Sequence, residues 1–102
     1  MSAADLVLKP SALGRVDLSP KAEQILNDLG EPLGDLLERH RKGDWGKASP
    51  AERAVNIGSI LDSDGPVVSV YEMKSEAIIV RTTISPFKSE RGTDVRTGWE
   101  LN

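Results

Sequence analysis

The stretch from Gly65 to Ile84, GPVVSVYEMKSEAIIVRTTI, decides how this chain folds. Two runs rich in β-branched residues, 66–73 and 77–85, flank the polar break Lys74-Ser75-Glu76. That is the signal of a β-hairpin, because Val, Ile and Thr suit a pleated, half-buried surface. Alternation puts Val67, Ser69, Tyr71 and Met73 on one face, and Val68, Val70 and Glu72 on the other. Both faces are partly apolar, which predicts helices over one side and partial cover on the other.

Upstream the pattern is helical. In LSPKAEQILNDLG, Ser19 is placed to cap free amides, Pro20 suits the first helical position, and Gly30 suits a left-handed stop. Ala22, Ile25, Leu26 and Leu29 then share one face, giving a helix over 19–29. Leu33, Leu36, Leu37 and His40 repeat that spacing over 33–42, and Gly43 ends the run. Arg39, Arg41 and Lys42 fall in its last turns, where the helix dipole favours cations. A third helix, 50–62, opens on Ser49-Pro50-x-Glu52, a capping box, with Ala54, Ile57, Gly58 and Leu61 as its expected buried stripe. Gly58 suggests close approach of a neighbour.

Downstream, SPFKSERGTD reads as a mobile loop and VRTGWEL, 95–101, as a last strand with Val95, Thr97, Trp99 and Leu101 on one face. Near the start, Leu6, Val7 and Leu8 form a short apolar segment that could serve as an edge strand or an ordered arm. The whole is one domain, 1–102: an α+β fold of three short N-terminal helices packed on a small antiparallel sheet of three or four strands. Open edges at LVLK or VRTGWEL would make a homodimer easy.

Composition removes several functions. Without cysteine there are no disulfides, thiol nucleophiles or Cys-based metal sites. With one histidine and no glycine-rich phosphate loop, no metal or other cofactor is expected. No apolar run reaches the roughly 18 residues that span a membrane, and MSAADLVLKP lacks the charge pattern of a secretory signal, so the cytoplasm is the simplest location. The net charge of −3 disfavours nucleic acid as a partner, and so does the scarcity of stacking aromatics (Trp45, Tyr71, Phe87 and Trp99).

One segment stands out chemically: LLERHRKGDWG, Leu36 to Gly46. Together with Asn56 and DGPVVSVYEMKSEAIIV, it resembles a family of small uncharacterised proteins of plasmids, phages and other bacterial mobile elements. Those proteins share a helix ending in His-x-x-Gly-Asp-Trp-Gly, then an Asn, a Ser-x-Tyr strand and a paired β-branched strand. The matching positions are His40, Gly43, Asp44, Trp45, Gly46, Asn56, Ser69 and Tyr71, across roughly the middle half of the chain. The family's Ile-Thr-Glu-Ala-Asp-Arg-Ser segment is replaced here by a different C-terminal stretch, so any role of that segment does not carry over. The resemblance implies a fold and a mobile-element setting.

Two functional readings follow. In the first, the chain binds a host or element-encoded protein stoichiometrically, for instance as an inhibitor of a host defence system of the anti-CRISPR or anti-restriction type. Its contact residues would be Arg41, Asp44, Trp45, Lys88, Glu90, Arg91 and Arg96. An exposed Trp beside Asp and Arg has hot-spot composition, and the charge-mixed 88–96 segment could dock. In the second, a toxin-like ribonuclease of barnase/RelE-like architecture would use His40, Glu72 and Arg81 as acid, base and phosphate clamp. An alternative catalytic arrangement pairs His40 with Asp44 and takes Ser69 or Thr82 as nucleophile. More simply, His40 hydrogen-bonds across to the sheet or the GDWG turn, and that structural role is the favoured one.

Overall fold

Helix 1 begins where its capping chemistry says it should. In a computed structural model describing residues 7–74 and 76–98, α1 spans Pro20–Leu29. Ser19 Oγ accepts the Ala22 amide at 3.1 Å, and Gly30 closes the helix at φ 65°. After the single turn around Pro32, α2 runs Leu33–Arg41 and hands over to Gly43 at φ 89°. The capping box forms as expected at α3, Pro50–Asp62: Ser49 N–H donates to Glu52 Oε1 at 2.8 Å, and Glu52 N–H donates to Ser49 Oγ at 3.1 Å.

Three strands follow, β2 at Gly65–Glu72, β3 at Ala77–Ile84 and β4 at Gly92–Thr97, and one precedes the helices, β1 at Arg15–Leu18. The sheet order is β1-β4-β3-β2. β2–β3 is the expected hairpin and β3–β4 is also antiparallel, but β1 lies parallel to β4, so the sheet is mixed rather than purely antiparallel. The first strand returns to the last only after the whole helical layer has intervened.

The inner face carries two apolar clusters. Leu26 and Ala22 of α1 and Leu36 of α2 pack on Tyr71, Ile78, Val80 and Val95. Trp45, Leu8 and Ala48 pack on Val67, backed by Ile57 and Ile60 of α3. Each fully buried Val, Leu or Ile contributes about 1.5–3 kcal/mol relative to exposure.

Of the two readings of the N-terminal segment, Leu8 fits the ordered arm and not the edge strand: it is buried outside any strand, its N–H donates to Arg41 O at 2.8 Å, and Arg41 Nη1 donates to Leu8 O at 3.0 Å. Other expectations change. Leu6 lies outside the described residues. The last strand starts three residues earlier than expected and is an inner strand, not an edge; Trp99 and Leu101 fall outside the described residues. Leu29 ends its helix exposed. On α3 the buried positions are the polar Asn56 and Ser59; Ala54 is exposed and Leu61 is 56% exposed. A Cβ on Gly58 would meet nothing within 4 Å, so no neighbour needs that glycine. The helix lies along the border of β2 and turns polar groups toward the strand's backbone, so of the expected apolar stripe Ile57 packs inward while Ala54 and Leu61 do not.

The 85–94 segment is also more built than a mobile loop. Ser85 Oγ donates to Glu90 Oε1 at 2.9 Å and accepts the Phe87 amide at 3.1 Å. Arg91 Nε donates to Ser85 O at 2.8 Å, around a 3₁₀ turn at Lys88–Glu90. From Gly92 onward the segment is strand β4.

Candidate functional site

The motif residues of α2 and the GDWG turn converge on β2. His40 follows Leu36 by one helical step, so its imidazole enters the core side of α2 and has no solvent exposure. Its Nδ1 lies 2.6 Å from Ser69 Oγ on β2, and its Nε2 lies 2.9 Å from Thr82 Oγ1 on β3. Thr82 Oγ1 is 2.7 Å from Thr93 Oγ1 on β4, and Thr93 Oγ1 donates to Leu13 O at 2.6 Å. One polar chain therefore crosses three strands beneath the helices.

Counting protons along that chain assigns the histidine tautomer. A carbonyl only accepts, so the single Thr93 hydroxyl proton goes to Leu13 O. Thr82 must then donate to Thr93, and His40 Nε2–H must donate to Thr82. Neutral His40 is left with a bare Nδ1, which accepts from Ser69 O–H. The opposite tautomer would leave either His40–Thr82 or Thr82–Thr93 without a proton between close heteroatoms. Burial pushes the His40 pKa down to about 4, so the ring is neutral at physiological pH.

This chain resembles a nucleophile–base pair in one respect, the short Ser69–His40 contact. A working pair needs an orienting group that stabilises the imidazolium and a reacting atom in reach. Here the far nitrogen meets a threonine hydroxyl, and both Ser69 and Thr82 are sealed from solvent. The arrangement fixes the α2-to-sheet register and offers no substrate access.

The GDWG turn is fixed just as densely. Asp44 Oδ2 accepts from Arg39 Nε at 2.8 Å and Oδ1 from the Gly46 amide at 3.2 Å; Arg39, the larger influence, holds this carboxyl below its usual value. Tyr71 O–H donates to Asp44 O at 2.7 Å, and burial pushes this phenol up to about 12, so it stays protonated. Arg39 also lies over the Tyr71 ring, 4.5 Å from its centroid. Gly46, at φ 60°, sits so close to β2 that a Cβ would collide with Val70 O. Lys47 N–H donates to Val70 O at 2.7 Å and Val70 N–H to Trp45 O at 3.1 Å, which pairs the turn with the border of β2. Two residues further along that border, Asn56 Nδ2 donates to Val68 O and Val68 N–H donates to Asn56 Oδ1, both at 2.8 Å. Asn56 thus stands in for a missing strand.

These distances join His40, Asp44, Trp45, Gly46, Asn56, Ser69 and Tyr71 in one structural unit. They also separate the other candidates. Trp45 is 4% exposed, not an exposed hot spot, and its indole N–H has no acceptor among the described residues. The basic cluster is spent locally: Arg41 and Lys42 pair with Glu38, and Arg39 with Asp44. Arg96 lies on the outer sheet face, 2.7 Å from Asp17 and 3.7 Å from Asp94. Glu72 and Arg81 share that outer face, but their register offset along β3 is four residues, roughly 13 Å. His40 is on the inner face, so the proposed ribonuclease triad does not assemble. Among the described residues no three His, Asp or Glu side chains gather as metal ligands, and no helix is long and apolar enough to cross a membrane.

Lys88, Glu90 and Arg91 do come together, on the braced turn after β3. That turn presents a residue the sequence reading passed over: Phe87 is 66% exposed. Against the same turn, lined by its Ser85, Pro86 and Arg91 and not by Phe87 itself, opens a cleft of about 380 Å³ between the 3₁₀ turn Pro10–Leu13, the end of α3 and the β3–β4 connection. Leu8, Ala12, Ile60 and Ile84 line it, with Lys9 and Arg91 among its polar residues. The Pro86-Phe87 pair inside a charged segment was the available signal. Comparison with protein-family models, with curated proteins and with solved structures finds no match.

Proposed function

We propose that this chain acts by stoichiometric contact with another protein, as a cytoplasmic accessory protein of a mobile element, and that its contact face is the Phe87 turn with the adjoining cleft. The observation that carries this reading is the presentation of Phe87. A phenyl ring two-thirds exposed is held out on a turn braced through Ser85, Glu90 and Arg91, so it meets a partner at little ordering cost. An aromatic anchor beside an apolar recess with a polar border is interface anatomy. Inhibition of a host defence system is one concrete form of that role. A net charge of only −3 favours a specific protein contact over mimicry of nucleic acid. A second copy would add at β1, which pairs with β4 alone.

The test is an affinity capture from bacterial lysate with tagged full-length protein and a Phe87→Ser control. A partner held near equimolar ratio by the wild type and lost by the control supports the reading. A partner held equally by both places the contact elsewhere. RNA cleavage at substoichiometric protein, abolished by His40→Gln, would replace the reading with the ribonuclease.

A further inference from the structure

The cleft beside Phe87 has a charge character opposite to that of the chain. The protein carries a net −3, with 16 acidic side chains, yet Lys9 and Arg91 line the cleft and no acid does. Its apolar lining continues the Trp45 cluster outward, through Leu8, Ala12, Ile60 and Ile84. The volume, about 380 Å³, falls within the roughly 300–1,000 Å³ usual for concave binding sites.

Arg91 is pre-placed. Its Nε donates to Ser85 O at 2.8 Å and its Nη2 to Pro86 O at 3.4 Å, while it joins no salt bridge among the described residues. A guanidinium has five N–H donors, so charge-assisted donors remain for an incoming oxygen anion. Lys9 also lacks an ion pair among the described residues. The other cations of the described fold that flank acids, such as Arg39, Arg41 and Arg96, are already engaged.

We infer that the cleft takes a segment of a protein partner in which a bulky apolar side chain is flanked by carboxylates. The apolar side chain occupies the recess against Ile60 and Ile84, and Lys9 and Arg91 meet the acids. A nucleic acid would answer the two cations and leave the apolar lining uncovered. A neutral apolar segment would fill the recess and bury the guanidinium without an anion, which is costly. The inference rests on the protein-binding reading and adds the partner's chemical class.

The experiment uses the full-length chain and two labelled pools of short peptides, each with a central Leu or Phe. One pool has Glu at the flanking positions and the other Gln. The Glu pool is expected to bind at least about tenfold tighter, as hydrogen bonds to charged groups imply, and to weaken with added salt. Backbone NMR shifts on binding should gather at Leu8, Ile60, Ile84 and Arg91. Lys9→Gln should weaken the Glu pool about tenfold and leave the Gln pool unchanged, and Arg91→Gln should weaken the Glu pool at least as much. Arg91 also braces its turn, so Lys9→Gln is the cleaner variant: the Lys9 side chain forms no bond in the described fold that such a change would break. Equal binding of the two pools, no binding of the Glu pool, or shifts centred elsewhere overturns the inference. Self-association that Lys9→Gln abolishes would make a second copy the occupant and overturn it too. None of these failures touches the Phe87→Ser capture, which tests protein contact without regard to partner charge.

Discussion

Acidification should weaken this fold through His40. In the unfolded chain the imidazole takes a proton near its ordinary 6.5; in the fold, burial holds its pKa at about 4. Between those values the unfolded state binds more protons, so stability falls as pH falls. The sign is that of a depressed pKa: the stabilisation is complete above 6.5, shrinks on descent, and stops shrinking near 4. The slope in the middle of that window is about 1.4 kcal/mol per pH unit. From about pH 7.5 to pH 5 the loss integrates to about 2 kcal/mol, a large share of the roughly 5–15 kcal/mol of a typical domain. Glu38 and Asp44, held below their ordinary 4.5 and 3.8 first by Arg41 and Arg39, lose their contributions mainly below about pH 5, so the interval from about pH 7.5 to 5 is dominated by the histidine. Urea unfolding followed by circular dichroism at successive pH values measures it, with His40→Gln as the variant that lacks the titration. A wild-type profile as flat as the variant's would refute the reasoning, as would an NMR titration placing His40 near 6.5.

Four further outcomes test the construction of the fold and the site. Gly46→Ala should destabilise by at least about 2–3 kcal/mol, since the new methyl meets Val70 O at positive φ. Gly58→Ala, mid-helix with open space around it, should stabilise by about 0.5–1 kcal/mol in the same urea assay. Asn56→Leu should cost roughly 1–3 kcal/mol or more by orphaning the Val68 amide and carbonyl, and light scattering should show new self-association at the uncovered β2 border. Thr93→Val removes the hydroxyl that dictates proton order, so Thr82 becomes free to donate to His40. Nitrogen NMR should find Nε2–H alone in the wild type and a share of Nδ1–H in the variant.

The legible features in the sequence were those decided by neighbours a few residues apart. Ser19-Pro20 and Ser49-Pro50 marked two helix starts because caps are local chemistry, and the hairpin announced itself in β-branched runs. The inward orientation of His40 was legible for the same reason, since it repeats the Leu36 face. Strand β1 was not. Its four residues, Arg-Val-Asp-Leu, are exposed except for the half-buried Leu18, and gain meaning only from β4 at the far end of the chain. The burial of Asn56 was equally hidden, because its purpose is set by the unpaired groups of Val68. Trp45 read as an anchor for a partner; its backbone pairing with Val70 turns it inward instead. The candidate contact face was half visible: Lys88, Glu90 and Arg91 were singled out, while Phe87 and the cleft depend on how Ser85 folds the turn.

The order of segments along the chain gives the β2 border a meaning in time. The GDWG turn and Asn56, which cover that border, both precede β2 in the sequence. On a ribosome they emerge first, so the residues that cover this strand are at hand when the strand appears. Strand β4, which lies between β1 and β3, comes last and closes the sheet with the longest chain loop. The nascent chain's window of aggregation is therefore the interval before β4 arrives, when β1 and the far side of β3 await the same strand.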